Sequence, residues 1–313
     1  MAFLNPPDVL PEAMRFLTRA LLAAGGSLDE EALVRLVAPE GLVEALDEAA
    51  PEVTDAPLSF KQGGRVIATA SLAAMRGAGL VVKGDGGAQR LAPPVTERFP
   101  KWELVTQVEF ARLLRETALT TVRAEWEDEL PAGAEDLANA LALLLSMPDP
   151  LDPVRAFETG AGKTLSGYQS DHFGPTQSTW IVRNKERYLP LVRWTTYLGM
   201  GRVLGDALVI DPAAALEAMA LPLLDRESPI TKFLDQLGAI MPYTDRGVVG
   251  TAVRRRVGAS SSEVSPGLAL GLIALHHQER IVLTGKSDAE SVGFRVDPEL
   301  AVSFSHIAPA GAS

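Results

Sequence analysis

The chain has 313 residues, and its 29 Lys and Arg against 40 Asp and Glu give a formal charge of −11. That acidic total excludes strong, indiscriminate binding to phosphate backbones over the whole surface and leaves only local basic patches. The absence of cysteine excludes disulfides, thiolate metal sites and cysteine nucleophiles, and it predicts a reducing cytoplasm.

Length predicts two or three domains, and 47% apolar residues suffice for each to bury a core. The first residues lack the basic start, apolar stretch and small-residue cleavage site of a secretory signal. No apolar run approaches the ~18 residues of a membrane span, so a soluble cytoplasmic protein is expected.

After Asn5-Pro6-Pro7-Asp8, residues Val9, Leu10, Ala13, Met14, Leu17, Leu21 and Leu22 recur at helical spacing, and Gly25-Gly26 stops the helix. Ser27 with Glu30, or Asp29, is placed to cap a second helix carrying Leu33, Leu36 and Val37. Gly41 to Ala50 predicts a third, acidic helix. Lys61-Gln62-Gly63-Gly64-Arg65 predicts a loop, and Thr69 to Ala78 a further helix. Leu80-Val81-Val82 and Arg90-Leu91-Ala92 flank Gly84-Asp85-Gly86-Gly87, which signals a hairpin.

Pro93-Pro94 and Pro100 mark a linker. Helices are predicted over Val105 to Val122 and Leu137 to Leu145, the second ended by Met147-Pro148-Asp149-Pro150. Residues 158 to 180 are polar and Gly-rich, without a defensible period. Trp194, Tyr197 and Leu198 then end an apolar helix, Val203-Leu204 and Ala207 to Ile210 flank the turn Gly205-Asp206, and Asp211-Pro212 starts a helix running to Leu224.

Pro229 to Met241 predicts a helix, and Asp245 is placed to cap another that ends at Arg254-Arg255-Arg256. Ser265-Pro266 supplies a cap and a first-turn proline before Leu268, Leu272 and Leu275. Ile281-Val282-Leu283 and Gly293-Phe294-Arg295-Val296 predict strands around a tip from Thr284 to Ser291. The tail after Ile307 is expected to be loose.

Three passages line up: Ser71 to Pro93, Val192 to Pro212 and Gly271 to Pro298. Each runs from a helix end through strand, turn and strand to a proline, a repeat that sets the fold expectation. That expectation is a mainly α chain with short β-hairpins, organised as tandem winged-helix modules. Residues 1–95 form an N-terminal winged-helix-like domain and 101–224 a helical domain with a central winged-helix-like hairpin. Residues 225–307 form a C-terminal winged-helix-like domain. A mixed helical protein with unrelated hairpins is the alternative.

Little in the sequence points to chemistry. Gly160-Ala161-Gly162-Lys163-Thr164 resembles part of a phosphate-binding loop, but Phe157 stands where the first glycine belongs. Neither a strand before it nor a helix over Leu165 to Pro175 is predicted, so a flexible loop is expected. His276-His277-Gln278-Glu279 places adjacent imidazoles about 100° apart on a helix, unsuited to one metal ion. Ser170, Asp171 and His172 lie in one loop and make no triad. The acidic groups Glu44 to Asp55 and Glu125 to Asp136 read as solvated faces. No catalytic residue, cofactor site or metal site is assigned.

The basic residues are more informative. Arg254, Arg255 and Arg256 precede the third module's candidate recognition helix, Pro266 to His277, with Arg280 at the base and Lys286 at the tip of its wing. Lys61, Arg65 and Arg76 precede a first-module wing holding Lys83 and Arg90. Winged helices set a helix in the major groove and meet phosphates with basic wing residues. Leu268 to Leu275, however, offers no Arg, Asn or Gln to base edges, which favours burial against a partner. The contact set for nucleic acid or an acidic partner is therefore Arg254, Arg255, Arg256, Arg280, Lys286, Lys61, Arg65 and Lys83.

The start Leu4-Asn5-Pro6-Pro7-Asp8-Val9-Leu10-Pro11 with its helix, and the Trp194 to Pro212 passage, resemble the DpdG family in size and helix-hairpin layout. Members are accessory proteins of bacterial clusters that insert 7-deazaguanine derivatives into DNA and restrict unmodified DNA. The resemblance brings no catalytic residues with it. It implies a non-enzymatic member of a multi-protein phage-defence or DNA-modification machine. With the apolar recognition helix, the acidic total and the arginine cluster, the expectation is a DNA-associated adaptor, whose partners are an ATPase or helicase-like subunit and, through its basic patches, double-stranded DNA. The alternatives are a structural winged-helix subunit of a condensin-like chromosome-organising or plasmid-defence ATPase complex, and a winged-helix transcriptional regulator.

Overall fold

The structure, a computed structural model, describes residues 3–38, 60–120, 134–155, 164–205, 207–297 and 300–311. It is mainly helical with small sheets, and the chain divides into two compact units, Met1–Ala118 and Leu119–Ser313. The expected helix at 41–50 lies outside the described residues. Among the described residues no helix is long and apolar enough to cross a membrane.

In the first unit, α1 (Pro11–Ala23) opens on a first-turn proline and buries Ala13, Met14, Leu17 and Leu21. Gly25 and Gly26, at φ +81° and +90°, then turn the chain in the left-handed region that side chains avoid. A three-residue strand, β1 (Ser27–Asp29), follows. The Asp29 carboxylate caps α2 (Glu30–Val37) by accepting from the Glu31 and Ala32 N–H groups at 3.0 and 3.3 Å.

Residues 61–65, expected to form a loop, are instead the first turns of α3 (Phe60–Gly77). Ala68, Leu72 and Met75 bury one face of this helix. Extending an existing helix through Gly63 and Gly64 costs only about 1 kcal/mol per glycine, which is far less than nucleating a new one. β2 (Val81–Lys83) and β3 (Ala88–Leu91) form the expected hairpin, with Val81 opposite Leu91. β1 pairs with the other edge of β3, so the strand order is β1-β3-β2. α4 (Pro93–Arg98) and α5 (Gln107–Thr117) complete the unit, and Thr106 caps α5 through the Glu109 N–H.

The second unit is built on α6 (Ala134–Leu145). Its residues from Leu137 to Leu145 are buried on every side, and all but Asn139 are apolar. Val154 then makes a lone antiparallel bridge to Leu208. The polar stretch expected to be a loop contains a helix, α7 (Leu165–Phe173), capped by Thr164 and stopped at Gly174, φ +87°. Its buried face is Leu165, Gln169 and Phe173 at i, i+4 and i+8. Gln169 hid the period because it is polar, yet its amide is satisfied by both the N–H and the carbonyl of Val182. α8 (Lys185–Tyr197) follows, capped by Asn184, and leads into the hairpin β4 (Gly201–Leu204) and β5 (Ala207–Ile210).

The remainder comprises α9 (Ala213–Ala220), β6 (Ser228–Pro229), α10 (Ile230–Ile240), α11 (Val248–Arg256), β7 (Glu263–Val264) and α12 (Pro266–His277). The strands β8 (Ile281–Thr284), β9 (Val292–Asp297), β10 (Leu300–Phe304) and β11 (His306–Pro309) close the chain. The expected hairpin between 281–283 and 293–296 does not form. β8 pairs with β11, setting Leu283 opposite Ile307, while β9 pairs with β10 and, in parallel, with β7. Two cores divide the strands: Ile281, Leu283 and Ile307 bury in one sheet, and Phe294 meets Phe304 edge-on at 5.1 Å in the other. The tail is therefore ordered through Pro309, because β11 is the central strand between β6 and β8.

One arrangement recurs. Among the described residues, helix, strand, helix, helix, strand, strand, with the first strand beside the third and the third beside the second, describes α1-β1-α2-α3-β2-β3. It also describes α6-Val154-α7-α8-β4-β5, with Val154 bridged to β5 in the first-strand place. It appears again in α9-β6-α10-α12-β8-β11, with α11 and β7 before α12 and the β9–β10 ribbon inserted before the last strand.

Candidate nucleic-acid interface

The arginine triplet closes α11, and close backbone packing fixes how that helix starts. A Cβ added at Gly250 would strike the Thr244 carbonyl, and one at Gly247 the Pro242 backbone, so the 241–247 turn folds directly onto the helix. The helix begins after Gly247, and Asp245, expected to cap it, points inward instead. The Asp245 carboxylate accepts from the Ser265 N–H at 2.6 Å and faces the Arg254 guanidinium at 3.6 Å. Burial pushes its carboxyl up, and Arg254 opposes that shift. Arg254 also donates to the Ser260 carbonyl and, at 2.6 Å, to the Glu263 carbonyl.

The triplet therefore splits three ways. Arg254 is buried and ties α11 to the loop before α12. Arg256 is exposed, with its guanidinium over the Phe173 ring at 5.2 Å. Arg255 is exposed and lines a hollow of about 330 Å³ with Arg246, Thr251 and Ser261.

Carboxylates accompany most of the other predicted contact residues. Arg280 pairs with Glu217, and Lys286 with Glu227 at 2.6 Å. Hydrogen bonding to Lys286 holds the Glu227 carboxyl below the usual glutamate value. Arg65 and Lys83 are exposed, but they share a hollow with Asp29, Glu30 and Glu31, and Arg76 pairs with Glu30. Lys61 lies in α3, with its side chain outside the described residues.

The candidate recognition helix of the third module, α12, is buried within its own unit. A Cβ at Gly267 would come within 2.9 Å of the Leu145 Cα in α6, and one at Gly271 within 2.6 Å of Leu216 in α9. That packing buries one side of α12; the other, with Leu270, Ile273 and Ala274 half-buried and His277 exposed, carries no lysine or arginine. Ser265 precedes it with no side-chain capping bond, so Pro266 alone carries the expected start signal.

Of the phosphate-loop-like segment, residues 160–163 lie outside the described residues, and Thr164 serves as the α7 cap. A helix does follow the motif, contrary to expectation, but Val154 before it forms only a single bridge. On α7, Tyr168 packs against His172 with ring centroids 4.5 Å apart and donates its hydroxyl to the Ser146 carbonyl at 3.0 Å. Burial pushes the Tyr168 phenol up to about 12. His276 and His277 stand at the end of α12, 5.8 Å apart. Among the described residues no group of three or more His, Asp or Glu could hold a metal ion.

The sequence model of the DpdG-like family matches residues 1–289. The chain belongs to the DpdG-like family. No curated protein and no solved structure matches it.

In this DpdG-like chain, one basic surface escaped the sequence reading. On α8, Lys185, Leu189, Arg193 and Thr196 are exposed at i, i+4, i+8 and i+11, which makes a single stripe. The hairpin behind it exposes Arg202, Val203 and Leu204. A charge count would have found the region: residues 183–202 hold five arginines and lysines and one acid, in a chain with 11 more acidic than basic groups. The apolar residues Trp194 and Tyr197 drew attention to the buried side of the same helix instead.

Proposed function

We propose that this DpdG-like protein is a cytoplasmic, non-catalytic, DNA-associated adaptor of a bacterial DNA-modification or phage-defence complex, built from three winged-helix modules. The observation that carries this reading is the thrice-repeated order of helix, strand, helix, helix, strand, strand with its first-third-second pairing. That order is how a winged helix presents its third helix and its wing. Family membership supports a place in the modification system. An acidic total with one concentrated basic region favours a local DNA contact held inside a larger assembly over a free-standing repressor.

An ATPase or helicase-like subunit of the same gene cluster is the expected protein partner. The burial of α12 favours a second reading, in which the modules serve as structural elements of a condensin-like ATPase complex. The two differ in whether the chain touches DNA.

The adaptor reading is tested with the purified full chain. It predicts no ATP hydrolysis and no DNA cleavage by the chain alone, and a stoichiometric complex with the cluster's ATPase or helicase-like subunit in size-exclusion chromatography. Separate elution of the two, or hydrolysis by the chain alone, would overturn it.

A further inference from the structure

We propose that the DNA contact is made by the middle arrangement, through the exposed stripe of α8 and the adjoining β4 strand, against the phosphate backbone and major groove of a duplex. The inference rests on the DNA-associated reading above, and it says where on the chain that contact lies. In each recurrence the third helix occupies the place that a groove-reading helix takes: α3, α8 and α12. Those three helices present different faces.

α12 buries Gly267, Leu268, Ala269, Gly271, Leu272 and Leu275, with its glycines against α6 and α9. Its open side, with Leu270 and Ile273 half-buried and His277 exposed, offers no lysine or arginine to a phosphate. α3 exposes Arg65 and Thr69, but Asp29, Glu30 and Glu31 share the hollow in front of them and would repel phosphate. α8 differs from both. It turns Trp194, Leu191, Tyr188 and Tyr197 inward and leaves Lys185, Leu189, Arg193 and Thr196 outward.

Charge complementarity selects the occupant. The segment 183–202 carries a net +4, from five basic residues and one acid, within a chain of net charge −11. Arg202 on β4 is exposed and pairs with Asp211 at 2.8 Å; on the helix stripe itself the cations are Lys185 and Arg193. They stand two turns apart, about 12 Å along the helix at 1.5 Å per residue, which suits two phosphates flanking a groove. Leu189 between them is 60% exposed and apolar, suited to a thymine methyl or sugar edge. Asn184, the N-cap, and Lys185 are at the end of α8 where a recognition helix meets base edges.

The test uses the full chain and a fluorescent duplex, with anisotropy read over a range of salt. Lys185→Glu with Arg193→Glu is compared with Lys185→Gln with Arg193→Gln, and with a charge reversal of Arg255 and Arg256. All four sites are exposed, and thermal melts check that each variant is folded. The α8 reversal is expected to weaken binding at least about tenfold, and both α8 variants to lower the salt slope by about 2, at roughly 0.9 per lost phosphate contact. The Arg255 and Arg256 reversal should leave the slope unchanged. Binding that survives the α8 substitutions with an unaltered slope overturns the placement while leaving the DNA reading intact. Failure of the unaltered chain to bind any duplex at low salt overturns both.

Discussion

Arg254 and Asp245 face one another at 3.6 Å, each with less than a tenth of its side chain exposed, and together they join the 241–247 turn, the end of α11 and the start of α12. A sequence reading takes Arg254-Arg255-Arg256 as one surface patch and Asp245 as a cap. The structure makes the first arginine and the aspartate a buried cross-link. Removing one partner of such a pair leaves an uncompensated charge, which costs about 3 kcal/mol or more. Arg254→Met should therefore lower the thermal melting point of the full chain by several degrees, whereas Arg255→Met, at an exposed position, should shift stability by no more than about 0.5 kcal/mol. Equal melting points for the two variants would contradict the cross-link.

Glycine positions give a second contrast. At Gly250 an added methyl meets the Thr244 backbone, which has nowhere to move, so Gly250→Ala should destabilise by about 3 kcal/mol. Gly205, at φ +64° in the β4–β5 turn, has open space around it. Gly205→Ala pays only the left-handed backbone penalty of about 1 kcal/mol. Chemical denaturation of the two variants measures both values.

Tyr168 gives a pH-dependent prediction. Its phenol is pushed up to about 12 by burial, above the unfolded value of about 10. A folded value above the unfolded one means that the contribution is complete below pH about 10 and is lost as the pH rises through about 12, on the order of 2 kcal/mol. Tyr168→Phe removes the hydrogen bond to Ser146 and should cost about 1 kcal/mol at pH 8. It should also lose less stability than the parent between pH 10 and 12. Parallel alkaline melting curves for the two proteins would refute this.

The Lys286–Glu227 pair works in the opposite direction. A lowered carboxyl value gives a contribution that is present above the ordinary glutamate value, about 4.3, and fades as the pH falls through the folded value. Lys286→Ala should be slightly less stable than the parent at pH 7, and the gap should narrow as the pH falls below the ordinary glutamate value. Both side chains are half-exposed, so the gap should also shrink at high salt.

The elements that were legible in the sequence are those whose burial is apolar and local. α1, α6, α10 and the two tight hairpins follow from the spacing of Met14, Leu17, Leu141, Leu144, Phe233 and Leu237 and from glycine turns. Elements held by polar or distant contacts were hidden. α7 turns on Gln169, whose partners lie 13 residues away. β11 is a four-residue strand with one buried aliphatic, Ile307, and its place is set by β6 and β8: His306 lies opposite Pro229, 77 residues earlier, and Ile307 opposite Leu283, 24 residues earlier. Among the site residues, charge type was readable, but not whether a carboxylate stood beside each cation. Glu217 and Glu227 are far in sequence from Arg280 and Lys286.

The proposed contact with DNA runs through a few local cations. A salt titration of the full chain against a random-sequence duplex tests it most directly. Binding should weaken linearly on a log-log plot between about 50 and 200 mM salt, with a slope of about −2 to −4 set by a small number of phosphate contacts. A slope near zero, or no binding at the lowest salt, would contradict it.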